Sequence, residues 1–338
     1  MTKTTKRVLF NLPTVYTADV FKYNGSLCVG AGPEKEGVVM LYALDSNSIE
    51  TIEPVPGGTM SLIPLPHQSD SFVSVMGLFP PFIGFEGGIH LHIKSGNSWT
   101  TTKVLPIPFA HRCDILSIDG IPYLFSASVS KYKNCVEDWS ESGQLYVTDL
   151  SKGIWEKEVV VGDLWKNHGM FKCAPEAFPP LESKTAHDIL FISGAEGIFA
   201  IYWSEGIFKT ERIFDSEVSE FAFFTLDNSP HLATIEPFHG NTFKIYRFDG
   251  HFQKIYESPL EFGHGLSAGI LGGNPSVAVG NRRGSMALEL IQYVNGEFNK
   301  QILEEGVAPT QTKFFTCGGV EYLLSANQNK NEVAIYSI

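Results

Sequence analysis

Apolar residues come in short runs separated by turn residues, and no long stretch carries the i, i+3, i+4, i+7 spacing of a helix. The pattern repeats. Phe262–Gly284, FGHGLSAGILGGNPSVAVGNRRG, reads as a histidine, an apolar strand, a Gly-rich turn, a second apolar strand and a basic loop. Phe109–Ser128, FAHRCDILSIDGIPYLFSAS, has the same layout. His264 stands eleven residues before Pro275, and His111 eleven before Pro122. A histidine at one fixed point of a repeat is the most informative feature of the chain, because repeats decide the fold.

The whole chain divides into seven such units. Each complete unit is four short β-rich runs over roughly forty to fifty residues, the period of a propeller blade. Unit six is HGLSAGILG, PSVAVGN, MALELIQYV, EFNKQILEEG. The first two runs of a unit are the most apolar, as strands buried on both faces require. The fourth is amphipathic and charged, as an outer edge requires. Asn24-Gly25, Asp119-Gly120, Asp227-Asn228, Gly272-Gly273 and Gly318-Gly319 join first runs to second. These are hairpin residues that tolerate positive φ. Unit seven has only three runs. Lys6–Leu12, KRVLFNL, resembles a fourth run, since TTKRVLFNLP compares with WTTTKVLPIP of unit two. The expected fold is all-β: one seven-bladed β-propeller domain spanning 1–338, its ring closed by the N-terminal strand pairing with the last blade.

Composition narrows the function. The net charge is −12 and no Lys/Arg cluster runs along a face, which argues against nucleic acid and anionic membranes as partners. MTKTTKRVLFNLP has no apolar core of signal-peptide length, and no later run could span a bilayer. Five scattered cysteines, an odd number without a CxxC, are expected as free thiols. Together these point to a cytoplasmic protein. No GxSxG, HExxH, Walker loop or dinucleotide fingerprint is present.

The candidate chemistry sits at the starts of first strands. His111, His168 and His264 begin the innermost strands of units three, four and six. Converging imidazoles make a site for a divalent transition metal ion (Mn, Zn, Ni or Co), with positions left open for substrate. A wet channel lined by satisfied polar histidines is the alternative. Tyr16, Thr59, Glu220 and Thr310 stand near the same position in the other four units. His239, in the loop EPFHGNT, is a fourth ligand or a general base, and Glu236 is the nearest carboxylate to it. Arg282 and Arg283 occupy the matching loop of unit six, where an arginine could hold a carboxylate, an enolate or sugar hydroxyls. Tyr132, Lys131, Glu137 and Trp139 lie in a long insertion of unit three, where an aromatic ring could stack on a sugar. His90 and His92 share a face of a third strand, which places them away from the axis. His67, His187, His231 and His251 read as structural.

Phe262–Gly284 resembles the repeat of FG-GAP/VCBS-type propellers, through His264-Gly265, Gly272-Gly273, Val277–Gly280 and Arg282. Unit three matches more loosely, through His111 and Ile118-Asp119-Gly120. The acidic DxDGDG calcium motif of those repeats is missing. Within that group the HG-containing version is similar to the propeller of aldos-2-ulose dehydratases, metal-dependent lyases acting on keto sugars; oligogalacturonate lyases are another propeller group with a histidine-bound metal. The resemblance implies a metal-dependent carbon–oxygen lyase acting by β-elimination or enolisation on a keto sugar or oxidised glycoside. His111, His168 and His264 would then hold the metal, His239 or Glu236 would move the proton, and Arg282 would help hold oxygen atoms. A non-catalytic propeller binding a protein or glycan, and a metal-dependent lactonase, are the rival readings.

Overall fold

The N-terminal strand β1 (Thr5–Asn11) pairs antiparallel with the last strand of the chain, from Thr5↔Ser337 to Asn11↔Glu332. A computed structural model describes residues 4–66 and 68–338, so His67 lies outside the described residues. Six further sheets follow in chain order. The first holds β2 (Val15–Tyr23), β3 (Ser26–Pro33), β4 (Val39–Ala43) and β5 (Ile49–Ile52). The second holds β6 (Ser61–Pro64), β7 (Ser71–Met76), β8 (Gly88–Ser95) and β9 (Ser98–Pro106). The third holds β10 (Ala110–Ile118), β11 (Ile121–Ser128), β12 (Gly143–Asp149) and β13 (Glu158–Leu164). The fourth holds β14 (Met170–Cys173), β15 (Ile189–Gly194), β16 (Gly197–Ser204) and β17 (Ile207–Phe214). The fifth holds β18 (Phe221–Leu226), β19 (Ser229–Glu236), β20 (Thr242–Phe248) and β21 (Phe252–Pro259). The sixth holds β22 (Gly263–Leu271), β23 (Asn274–Asn281), β24 (Leu288–Val294) and β25 (Glu297–Glu304). The seventh runs β26 (Pro309–Cys317), β27 (Val320–Asn327), β28 (Glu332–Ser337), then β1. Seven four-stranded antiparallel sheets make this a seven-bladed β-propeller, closed by the N-terminal strand as its sequence predicts.

Burial follows the expected order within a blade. β7 and β15 are buried at every position. The outer strands β9 and β25 alternate or face solvent. Every residue of the five predicted hairpin pairs has positive φ, from 47° at Asn24 to 83° at Gly120. The insertion of unit four carries a 3-10 turn, Pro175–Ala177, and the one-turn helix Pro179–Glu182. Its Phe178 and Leu181 are buried with Phe191 and Phe223, so this insertion builds core.

The chain divides into two compact units: Met1–Ser74, Leu91–Thr102 and Pro259–Ile338; and Val75–His90 and Lys103–Ser258. The first has a core of Leu9, Phe10, Val29, Leu324 and Ile335 with their neighbours. The second has cores around Phe178, Phe191 and Phe223, and around Leu116, Phe125 and Leu145. All five cysteines are free thiols, with Cys28 and Cys113 buried and Cys135 exposed. No described helix is long and apolar enough to cross a membrane.

His90, on β8, is only 4% exposed, and burial pushes its pKa down to about 4. The unfolded ring takes a proton near 6.5, which the folded ring refuses until about 4. The stability involved is complete above about 6.5 and drains as the pH falls towards about 4. The melting temperature should therefore fall over that window. His90→Gln should flatten the slope without abolishing it, because burial also lowers His231. An unchanged slope in the variant would mean that His90 is not held neutral.

Candidate metal centre

A recurrent backbone device marks the start of most inner strands. In six blades a residue with left-handed φ stands two positions ahead of the key residue: Thr14 before Tyr16, Gly58 before Met60, Phe109 before His111, Lys166 before His168, Phe262 before His264 and Ala308 before Thr310. In the second blade this selects Met60 rather than its neighbour Thr59. The pairing register then skips Tyr16 in β2, His111 in β10, His264-Gly265 in β22 and Thr310 in β26. A bulge takes a residue out of the ladder and re-aims its side chain. The histidine repeat in the sequence is the trace of this bulge.

In the unit that holds residues 103–258, the strand starts bring several polar groups together. Arg112 follows the bulged His111, and its Nε donates to the His168 carbonyl at 2.9 Å. Its Nη2 donates to Glu220 Oε1 at 2.6 Å. His168 Nδ1 meets the same oxygen at 2.6 Å. A carboxylate accepts, so Nδ1 carries a proton, and in the neutral ring Nε2 keeps the lone pair. The ring of His168 lies 4.4 Å from that of His111 and 4.8 Å from that of His239, centroid to centroid. The ligand nitrogens of His168 and His239 are within 4.8 Å of one another.

Burial alone would raise the pKa of Glu220, but the Arg112 guanidinium and His168 outweigh it and hold the carboxyl below its usual range. Burial, with His168 and Arg112 nearby, keeps His111 well below the ordinary imidazole value, hence neutral.

Local packing fixes His168. Asn167 Nδ2 donates to the Ser193 carbonyl at 2.8 Å, and the Gly169 N–H donates to Ser193 Oγ at 3.1 Å. A Cβ at Gly169 would sit 2.7 Å from Ser193 Oγ and 2.9 Å from Phe221, so the His-Gly pair is a packing requirement. His239 is half-buried with φ 47°, and its ring stacks on Phe238 at 4.1 Å. Trp139, from the third-unit insertion, meets Phe238 edge-on at 5.3 Å and lies under Lys133. Tyr132, 45% exposed on the same loop, packs on Phe85 and donates to Asn134.

Glu236 has other partners. Its Oε1 accepts from Thr234 and Tyr246, and its Oε2 from Lys244 at 2.6 Å. These bonds tie it to β19 and β20 of its own blade.

The unit containing residues 259–338 holds His264 and Arg282. His264 Nδ1 donates to the Thr310 carbonyl at 2.8 Å, so Nε2 accepts from Tyr16 OH at 3.1 Å. Arg282 bonds Gln328 and Glu34 and lies over the Tyr16 ring, while Arg283 covers Phe262. His92, in the same unit, is stacked on Phe72 and bonded to Ser74 and Thr101. It is an internal tie of its blade.

Known protein families offer no match to this chain, and neither do curated proteins. Solved structures share its fold. An ancestral GH74 enzyme has a TM-score of 0.63 at 12% identity, over 95% of this chain and 44% of that one. This chain thus spans less than half of that enzyme's length. A 6-phosphogluconolactonase candidate from Bacteroides uniformis has a TM-score of 0.58 at 11% identity, over 89% and 88%. A chain of the mitotic checkpoint complex has a TM-score of 0.59 at 14% identity, over 98% and 93%. At such identities the likeness extends to the propeller fold alone.

Proposed function

We propose that this chain is a metal-dependent enzyme of carbohydrate chemistry, and that its reaction is carbon–oxygen lysis of a keto sugar or oxidised glycoside. The observation that carries the proposal is the Arg112–Glu220–His168 chain with His239 beside it. A carboxylate on the far nitrogen of a histidine is the usual support of a metal-ligating imidazole, because it fixes the tautomer and raises ligand basicity. The donor set suits the ion: His168 presents Nε2, and the His239 nitrogen is close enough for one ion about 2 Å from each after a small side-chain rotation. His264 enters the proposed ligand set by its repeat position. His111 stays in it as the neutral imidazole against His168.

When bound, a divalent transition ion supplies Lewis-acid chemistry, polarising a carbonyl oxygen and easing loss of the neighbouring proton. The protein's own groups do the rest. Glu220 orients His168, and Arg112 anchors Glu220. Phe238 and Trp139 pack edge to face and hold the His239 ring beside His168. The propeller neighbours described as a GH74 enzyme and a 6-phosphogluconolactonase candidate make sugars the substrate class to test first.

The test is turnover by protein loaded with Mn, Zn, Ni or Co, on keto sugars and on sugar lactones in parallel. Elimination from a keto sugar, lost in His168→Ala, is expected. Lactone opening instead would make the protein a hydrolase. Turnover of neither by fully loaded protein would leave the binding-module reading.

A further inference from the structure

Away from the histidines, the third and fourth sheets border a cleft of about 420 Å³, within the size range of ligand pockets. Its floor is aromatic. Tyr123 of β11, Trp203 of β16 and Phe208 of β17 lie 4.8 to 6.0 Å apart, centroid to centroid. Its walls carry the carboxylates of Asp149, Glu156 and Glu158 against the single ammonium of Lys152. Its rim is apolar and exposed: Ile154 by 49%, Val159 by 52% and Ile207 by 53%.

We propose that this cleft binds an extended basic peptide that seats an arginine or lysine side chain over the aromatic floor. A cation over a Trp or Tyr face is attracted by the ring quadrupole, and three carboxylates against one ammonium add to that attraction. The overall charge of −12 draws the same kind of ligand by steering. β13 and β17 each end the hydrogen-bonding order of their sheets, so each has one open edge of backbone N–H and C=O groups. Such an edge takes an added strand. The exposed Ile154, Val159 and Ile207 supply apolar surface for the residues flanking the cation. Asp149 already accepts from Ser151, and a neutral apolar ligand would leave Glu156 and Glu158 without a counter-charge.

Calorimetric titration of the full chain tests the proposal, with an acetylated and amidated hexapeptide alternating arginine and valine, and its glutamate counterpart. The arginine peptide should bind with a Kd on the order of micromolar, more weakly as salt rises, and the glutamate peptide should not bind. Glu156→Gln with Glu158→Gln should weaken binding at least tenfold. Ile207→Lys, on the exposed rim, should weaken it without moving the melting temperature. Absence of binding by the arginine peptide, or unchanged binding by both variants, would overturn the proposal. So would an N-acetylarginine amide that binds as tightly as the hexapeptide, since that result describes a small-cation site in place of a peptide groove.

Discussion

Removing the chain up to Asn11 should leave the protein insoluble, or lower its unfolding free energy by more than about 4 kcal/mol. Leu9 and Phe10 are 8% and 6% exposed in a core shared with Leu324, Val333 and Ile335. Each such side chain is worth about 1.5–3 kcal/mol when buried. The whole β1–β28 ladder goes with them, and β28 becomes an open edge of the kind that aggregates. Against a typical total of about 5–15 kcal/mol this is decisive. Lys6→Ala is the matched control. Its ammonium reaches Glu304 and Glu332, but it is part-exposed, so its loss should cost about 1 kcal/mol or less. Equal melting curves for the truncated and full chains would refute the closure.

Glu220→Ala should destabilise the protein by about 3–5 kcal/mol, because it strands a buried guanidinium. The Arg112 and Glu220 side chains are only 10% and 9% exposed, and Glu220 is the acceptor for both Arg112 and His168. Denaturant unfolding with metal chelated reads this term without ligand linkage. The double variant Glu220→Leu with Arg112→Leu should recover most of the loss, since replacing both partners removes the stranded charge. Because the folded carboxyl sits below its usual range, its contribution is present above the unfolded pKa near 4.3 and is lost as the pH falls through the folded value. A wild-type unfolding curve for Glu220→Ala would mean that Arg112 is satisfied without it.

The blades are legible in the sequence because each is specified locally. Period-two alternation, turn residues that accept positive φ and the contrast between β7 and β9 all lie within a few residues of one another. The closing strand is readable for the same reason: Lys6–Leu12 has an outer-strand pattern and nothing adjacent to pair with. The histidine register shows because the bulge recurs at the same point of His111 and His264. The partnership of Arg112 with Glu220 does not show, since 108 residues separate them and no spacing rule joins them. The available signal is an arginine inside an apolar inner strand, HRCDIL, which must find a carboxylate once buried. Glu236 misleads for the opposite reason. It stands three residues from His239, yet Lys244 and Tyr246 of the adjoining strand take its oxygens. Cross-strand pairing decides a side chain's partners more than proximity along the chain.

In the proposed centre His168, oriented by Glu220, ligates a metal together with His239. Native mass spectrometry with elemental analysis of the purified chain, before and after loading with Mn, Zn, Ni or Co, tests it directly. One divalent ion per chain is the predicted result, absent in His168→Ala and in His239→Ala and retained in His251→Ala. A chain that carries no ion and takes up none, or ions that persist in both His168→Ala and His239→Ala, would contradict it.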